Sequence, residues 1–245
     1  MLRTAICPHR EMVTNMGPER NELLAALPQQ AKKRIFPLLR EVELPIRKRI
    51  YAAAEEETSV WFPADCIVSL LYVTLDGHST EISLVGHEGI VGIAAFMGGD
   101  RTPGSAVVQS AGTAYRLGAS ELRREFSTDA SLRTLLLRYT QALITQLAQT
   151  AVCNRHHTID QQLCRWLLLS LDRLPTCQLT MTQELIANML GVRREGVTDA
   201  ARKLQKLGVI RYRRGQITVL DRPALEALCC ECYGVVKKET DRLSA

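Results

Sequence analysis

No stretch of this sequence approaches the roughly 18 consecutive apolar residues of a membrane-spanning helix. Its first residues, MLRTAICPHREM, lack the apolar core of a secretory signal. Both absences predict a cytoplasmic protein with no membrane partner. Also missing are a P-loop lysine motif, a glycine-rich dinucleotide turn and a His-Glu-x-x-His segment, so the motif content does not predict an enzyme. A disulfide framework is absent as well. The eight cysteines (Cys7, Cys66, Cys153, Cys164, Cys177, Cys229, Cys230 and Cys232) are scattered through 245 residues, unlike the dense pattern of a small secreted domain, and are expected as thiols. With 46% apolar residues the chain can bury a sizeable core, which excludes a disordered or fibrous protein.

The net charge of +5 is mild until it is located. Between Gly191 and Gly215, eight arginines and lysines face only Glu195 and Asp199, a net +6 in 25 residues, so the other 220 carry about −1. A basic excess confined to one short stretch is the footprint of a polyphosphate partner.

The chain changes period several times. Residues 1–18 show no sustained pattern and read as a loose arm. PERNELLAALPQQAKKRIFPLLR repeats at helical spacing and is broken by Pro28 and Pro37 into two short helices. From about Val42 to Leu117 β-branched residues alternate between glycine and proline punctuation, which predicts short antiparallel strands of a β-roll or jelly roll. Asp76-Gly77 between alternating runs predicts a hairpin with a two-residue type I′ turn. Ser120 is expected to cap a short helix, and Ser127 or Asp129 to open a long one over about Thr128–Val152. Along that helix Leu132, Leu136, Tyr139, Leu143 and Leu147 keep to one face, while Leu135, Leu137, Ala142, Ile144 and Ala148 widen the apolar surface. A helix apolar over more than one face must be covered on two sides, either by its own domain plus a second copy or by two parts of one monomer.

LTMTQELIANMLGVRREGVTDAARKLQKLGVI carries the most information. Thr182 can cap a helix running to about Leu190, Gly191 can take the positive φ that ends it, and a second helix opens at Arg193. Small Ala187 and apolar Ile186, Leu190, Val192, Val197 and Ala200 suit two helices crossing closely. This is the helix-turn-helix pattern, whose second helix enters the DNA major groove. Thr182, Gln183, Arg193, Arg194, Glu195, Thr198, Asp199, Arg202 and Lys203 are the candidate DNA contacts. Arg194 can pair bidentately with guanine and Glu195 can accept from cytosine, so these two are the candidate base readers. Two strands, Val209–Tyr212 and Gln216–Leu220, then make a wing whose Arg211, Arg213 and Arg214 can clamp phosphates.

The order of β-roll, long helix and winged helix resembles the Crp/Fnr family of bacterial transcription regulators, and the likeness runs from about Leu23 to Leu220. Its most specific part is TQELIANMLGVRREGVT, similar to the family motif in which an Arg-Glu pair, here Arg194 and Glu195, begins the recognition helix. Where the family commonly has a further Arg, this chain has Asp199, which implies a different base preference. The resemblance implies an α+β protein organised as an arm (1–18), a cyclic-nucleotide-binding-like sensor (19–126), a dimerisation helix (127–152), a winged helix-turn-helix domain (153–222) and a C-terminal helix and tail (223–245). It implies a homodimer joined through Leu132, Leu136, Tyr139, Leu143 and Leu147, reading a pseudo-palindrome in double-stranded DNA. RNA polymerase is an implied partner if the protein activates. The other reading is a signalling or small-molecule-binding module whose winged helix contacts protein.

In cyclic-nucleotide-binding relatives a Glu binds the ribose and an Arg the phosphate. The matching stretch, VGIAAFMGGDRTPGSAV, keeps Gly92 but places Ile93 and Gly104 at those positions, with Arg101 the nearest cation. An apolar Ile93 cannot accept from ribose hydroxyls, so no cofactor is assigned and the effector stays unknown. Only Cys7 lies where iron-sulphur relatives cluster their cysteines. His78 and His87 read as exposed, and Cys153 with His156-His157 as a polar hinge. CCEC gives Cys229 and Cys232 half a zinc site, but no second pair with suitable spacing is visible. Leu225, Leu228, Cys229 and Cys232 are expected to pack from one helix opened by Asp221 and Pro223, and no metal is assigned.

Overall fold

The computed structural model describes residues 17–244, so the expected arm falls almost wholly outside the described residues. Asn21 caps α1 (Glu22–Ala25), and Pro28 precedes α2 (Gln29–Ile35), which gives way to a 3-10 turn around Pro37. Then follow β1 (Arg40–Leu44), β2 (Arg49–Tyr51), β3 (Ser59–Pro63), β4 (Ile67–Val73), β5 (Ser79–Val85), the single turn α3 (Ala94–Met97), β6 (Ser105–Ser110) and β7 (Gly112–Gly118). These strands form two antiparallel sheets, ordered β1-β7-β3 and β2-β6-β4-β5. Leu44 and Ala114 from one sheet meet Val108 from the other, together with Cys66, which closes the β-roll.

The β4–β5 hairpin forms where expected but with a longer turn. Only Gly77 takes positive φ (+86°). Its N–H donates to Thr74 O, while the Thr74 N–H donates to His78 O. The loop is therefore the three residues Leu75–Gly77, with the left-handed position carried by glycine alone rather than shared with Asp76.

α4 (Ala119–Thr128) begins after Gly118, not at a Ser120 cap. The Asp129 carboxylate accepts from the N–H groups of Ser131 and Leu132 at 2.9 and 3.0 Å and so opens α5 (Ala130–His156), 27 residues and about 40 Å long. Polar residues 154–156 continue this helix instead of interrupting it. Thr158 and Gln161 then form a capping box for α6 (Ile159–Leu171). The C-terminal part adds β8 (Gln178–Thr180), α7 (Gln183–Leu190), α8 (Arg194–Lys206), β9 (Ile210–Arg213) and β10 (Gln216–Val219). β8, which has no clear sequence signal, pairs with β10 and makes the wing a three-stranded sheet, β8-β10-β9.

After β10 the expected single helix is two. α9 (Arg222–Leu228), capped by Asp221, stops at Cys229, whose backbone is extended, and α10 (Glu231–Ser244) turns back along α5. The break lets Cys232, Tyr233 and Val236 bury, which outweighs continuing an exposed helix.

α5 has two apolar faces with different destinations. Leu132, Leu136, Tyr139 and Leu143 are buried in the chain's own core with Leu24, Ile35, Phe62, Leu117 and Leu122. Leu147 is half-buried against the same cluster. The expected dimer seam therefore lies on the inward face, because the β-roll and the helices around it cover that stripe first. Leu137, Ile144 and Val152 are the large apolar residues of α5 that stay exposed.

The β-roll and the C-terminal part share a core as well, in which Ile67 and Leu84 join Leu163, Trp166, Leu167, Ile186 and Val197. Trp166 Nε1 donates to Glu81 Oε1 at 2.9 Å. Buried Arg173 reaches Glu88 at 2.7 Å and Gln146 at 3.1 Å, tying the end of α6 to the roll and to α5. Glu81 is enclosed, with Oε2 lacking any hydrogen-bond partner among the described residues, and burial pushes its carboxyl up to about 7.

Candidate nucleic-acid interface

α7 and α8 are set by local chemistry. The Thr182 hydroxyl accepts from the Leu185 N–H at 3.2 Å, and Gly191 ends α7 at φ +65°. Ile186, Ala187, Leu190, Val197, Ala200, Ala201 and Leu204 are buried between the helices and α6. That burial fixes which face of α8 is free, since residues three and four apart share a face. The free face carries Arg194, Glu195, Asp199, Arg202, Lys203 and Lys206, all exposed, with Arg193 just before the helix.

The wing is held to this pair by Tyr212. Its hydroxyl donates to Met181 O at 2.7 Å and its backbone N–H donates to Gln205 Oε1 at 2.9 Å. Arg211 and Arg213 alternate outward from β9. Arg214 and Gly215 form a two-residue turn with φ of +52° and +77°. Positive φ at both central positions is the type I′ geometry. Arginine is a costly choice for it, by about 1 kcal/mol.

The sequence-predicted residues lie on α7, on α8 and on the wing, and they differ in their freedom. Among the described residues, Arg193, Arg194, Arg211, Arg213 and Arg214 are exposed and form no ion pair. Lys203 instead reaches Asp160 of α6 at 2.9 Å, which raises its pKa through that hydrogen bond, and Arg202 lies 3.6 Å from Asp199. The half-buried Thr198 hydroxyl donates to Gln183 Oε1 at 2.8 Å and so fixes Gln183 over the start of α8.

In the β-roll, Ile93 sits at the start of α3, and a Cβ on Gly104 would lie 2.8 Å from the Tyr72 ring. Arg101 is exposed, and its backbone forms an isolated antiparallel β-bridge with Glu56. A residue with no sequence signal, buried Glu57, brings its carboxylate to Gly92, where burial pushes it up to about 7. His78 is exposed beside Asp76, whereas half-buried His87 lies 3.5 Å from Glu22.

The cysteines do not all match the expectation of free thiols. Cys66, Cys153, Cys164, Cys229, Cys230 and Cys232 are free, while Cys177 is disulfide-bonded; Cys7 lies outside the described residues. Cys153 and His157, far from CCEC in sequence, lie beside Cys230 and Cys232 among the described residues. Cys229, expected to be a member, and exposed His156 are not part of that group.

Residues 161–228 match the family model of the Crp-like helix-turn-helix domain. No curated protein matches the chain. Among solved structures, a protein from Eubacterium rectale described as a Crp/Fnr transcriptional regulator is 18% identical with a TM-score of 0.68, over 86% of this chain and 98% of its own. FixK2 from Bradyrhizobium japonicum is 17% identical with a TM-score of 0.66, over 78% and 98%. A CRP/FNR-family regulator from Thermus thermophilus is 20% identical with a TM-score of 0.63, over 77% and 97%. The reading module is thus a Crp-like helix-turn-helix domain, carried on the fold these regulators share. Residues 161–228 carry the Crp-like helix-turn-helix domain, and the rest of the chain is similar in fold to regulators described as Crp/Fnr-family proteins. Among the described residues, no helix is long and apolar enough to cross a membrane.

Proposed function

We propose that this protein is a homodimeric, sequence-specific regulator that places α8 in the major groove of a pseudo-palindromic operator. The observation that carries this reading is the set of five exposed arginines without ion pairs among the described residues, two at the start of α8 and three on the wing. An arginine already paired within the protein must lose that partner before meeting DNA, and these five have no ion-pair partner to lose among the described residues. Arg194 and Glu195 reach base edges, while Arg193, Arg211, Arg213 and Arg214 meet phosphates on either side. The strained backbone at Arg214 supports a functional role, since glycine or asparagine would form the same turn more easily. Thr182, Gln183, Thr198, Asp199 and Arg202 flank the readers, and Lys203 acts mainly by tying α8 to α6.

The dimer is assigned to the outward face of α5. Thr134, Leu137, Gln141, Ile144, Ala148 and Ala151 step by three and four residues in alternation, the spacing of a coiled-coil seam. All but Thr134, Gln141 and the two alanines are large apolar residues, and all six are exposed. Pairing two copies there sets two α8 helices to read half-sites about one helical turn, roughly 34 Å, apart.

Selection of bound sequences from random DNA tests the reading. The wild-type chain enriches one palindrome, and Arg194→Ala binds it about 10- to 100-fold more weakly, with relaxed preference at one base pair per half-site. A folded wild-type dimer that enriches no palindrome at low salt rejects it.

A further inference from the structure

Cys153 and His157 stand one helical turn apart where α5 ends. Cys230 and Cys232 flank Glu231 where α9 breaks into α10. The fold brings the two pairs together, and their donor atoms, three sulphurs and one imidazole nitrogen, all lie within 4.8 Å of one another. Cys153 Sγ is 3.6 Å from Cys230 Sγ, and Cys232 Sγ is 3.6 Å from His157 Nδ1. A tetrahedral zinc ion, with bonds of about 2.3 Å to sulphur and about 2.0 Å to nitrogen, spaces its ligands about 3.8 Å apart between sulphurs and about 3.5 Å between sulphur and nitrogen. Two edges of the tetrahedron therefore have the length a bound ion requires. An iron-sulphur cube bonds each thiolate to a different corner iron and needs a wider set.

Packed thiols can also reach such distances, but two neighbours distinguish a site from packing. Glu231 Oε2 lies 3.4 Å from His157 Nε2. A carboxylate on the outer ring nitrogen fixes the tautomer that leaves Nδ1 as a lone-pair donor toward the sulphurs, the support that metal-bound histidines have. The second neighbour is Arg165. It is 4% exposed, its guanidinium faces the Cys153 sulphur, it forms no ion pair among the described residues, and its Nε lacks a hydrogen-bond partner. An unpaired buried cation is costly. Three thiolates around a divalent ion leave one negative charge, which Arg165 would balance.

We propose that Cys153, His157, Cys230 and Cys232 form a mononuclear zinc site that clamps α10 onto the end of α5. Soft thiolates with one imidazole and no open position suit a structural zinc. Binding releases the three thiol protons to solvent.

The test uses the full chain, purified reduced and without chelator. Mass spectrometry finds one zinc per chain, and Co²⁺ added to metal-free protein gives the intense absorption of a tetrahedral thiolate site, saturating at one equivalent. Removing the zinc lowers the melting temperature by about 5 °C or more. His157→Gln and Cys232→Ser each weaken zinc binding by at least about 100-fold, Glu231→Gln by about 10-fold, and Cys66→Ser, in the β-roll, leaves it unchanged. Folded wild-type protein that holds no zinc and gives only the weak spectrum of octahedral Co²⁺ overturns the proposal, as does unchanged affinity in both ligand variants. The wild-type cobalt spectrum decides the matter even if every variant misfolds.

Discussion

Helices α5 and α8 both carry apolar stripes, and their fates differ. In α8, Val197, Ala200, Ala201 and Leu204 are buried while the opposite face is charged, so the stripe has one destination. α5 is apolar on two faces, and its regular four-and-three stripe, Leu132 to Leu143, packs into its own chain. The seam proposed for a partner is the less uniform outward face, in which alanine, threonine and glutamine accompany Leu137 and Ile144. Periodicity identifies residues that share a face. It does not identify what that face meets when two faces compete.

Substitutions on the two faces of α5 should have the largest and most divergent effects. We predict that Leu136→Ala, at a fully buried position, costs about 2–5 kcal/mol in chemical unfolding. Ile144→Glu changes the stability of the protomer by no more than about 0.5 kcal/mol but converts dimer to monomer in sedimentation. The opposite pattern would place the seam on the inward face.

A smaller effect comes from Glu81, between the β-roll and α6. Its carboxyl is raised to about 7 in the folded chain by burial, against its ordinary 4.5. The unfolded chain therefore loses this proton first as pH rises, so stability is full below about pH 4.5, declines toward pH 7 and then levels. The decline amounts to about 3 kcal/mol. Glu81→Gln keeps an acceptor for Trp166 and removes this decline, so denaturation curves at pH 5 and pH 8 should differ less than those of the wild type. An equal pH dependence in both proteins would show that Glu81 is not the group responsible.

The smallest effect separates folding from reading on the wing. Arg214→Gly relieves the positive-φ strain and stabilises the chain by up to about 1 kcal/mol. It also removes one phosphate contact, lowering the salt slope of DNA binding by about 1. Unchanged salt dependence would detach Arg214 from DNA.

What the sequence disclosed follows the range of the interactions involved. The helix-turn-helix was readable residue by residue because the Thr182 cap, Gly191 and the crossing at Ala187 are decided within a few positions. The start of α5 was legible for the same reason, with Ser127 and Asp129 both candidates for the cap that Asp129 supplies. The β8 strand, three residues long with its partner 38 residues away, left no periodic trace. The turn at Asp76-Gly77 differed because the composition that suits a two-residue loop also suits a three-residue one with glycine last. Cys153 and Cys230 are 77 residues apart, and each pair alone is half of a site. Arg173 and Glu81 gained their roles only when α6 packed on the roll, a contact no local pattern encodes.

The return of α10 along α5 has a consequence for how the chain is made. At about 5–20 residues per second, a ribosome needs on the order of ten seconds to extend the chain by the 77 residues between Cys153 and Cys230. Throughout that interval the end of α5 has emerged without the segment that covers it, and its cysteine and histidine face the cell unaccompanied. The nascent protein thus carries a temporarily sticky, thiol-bearing helix end, and the timing of α10's arrival decides how long chaperones or stray metal ions can compete for it.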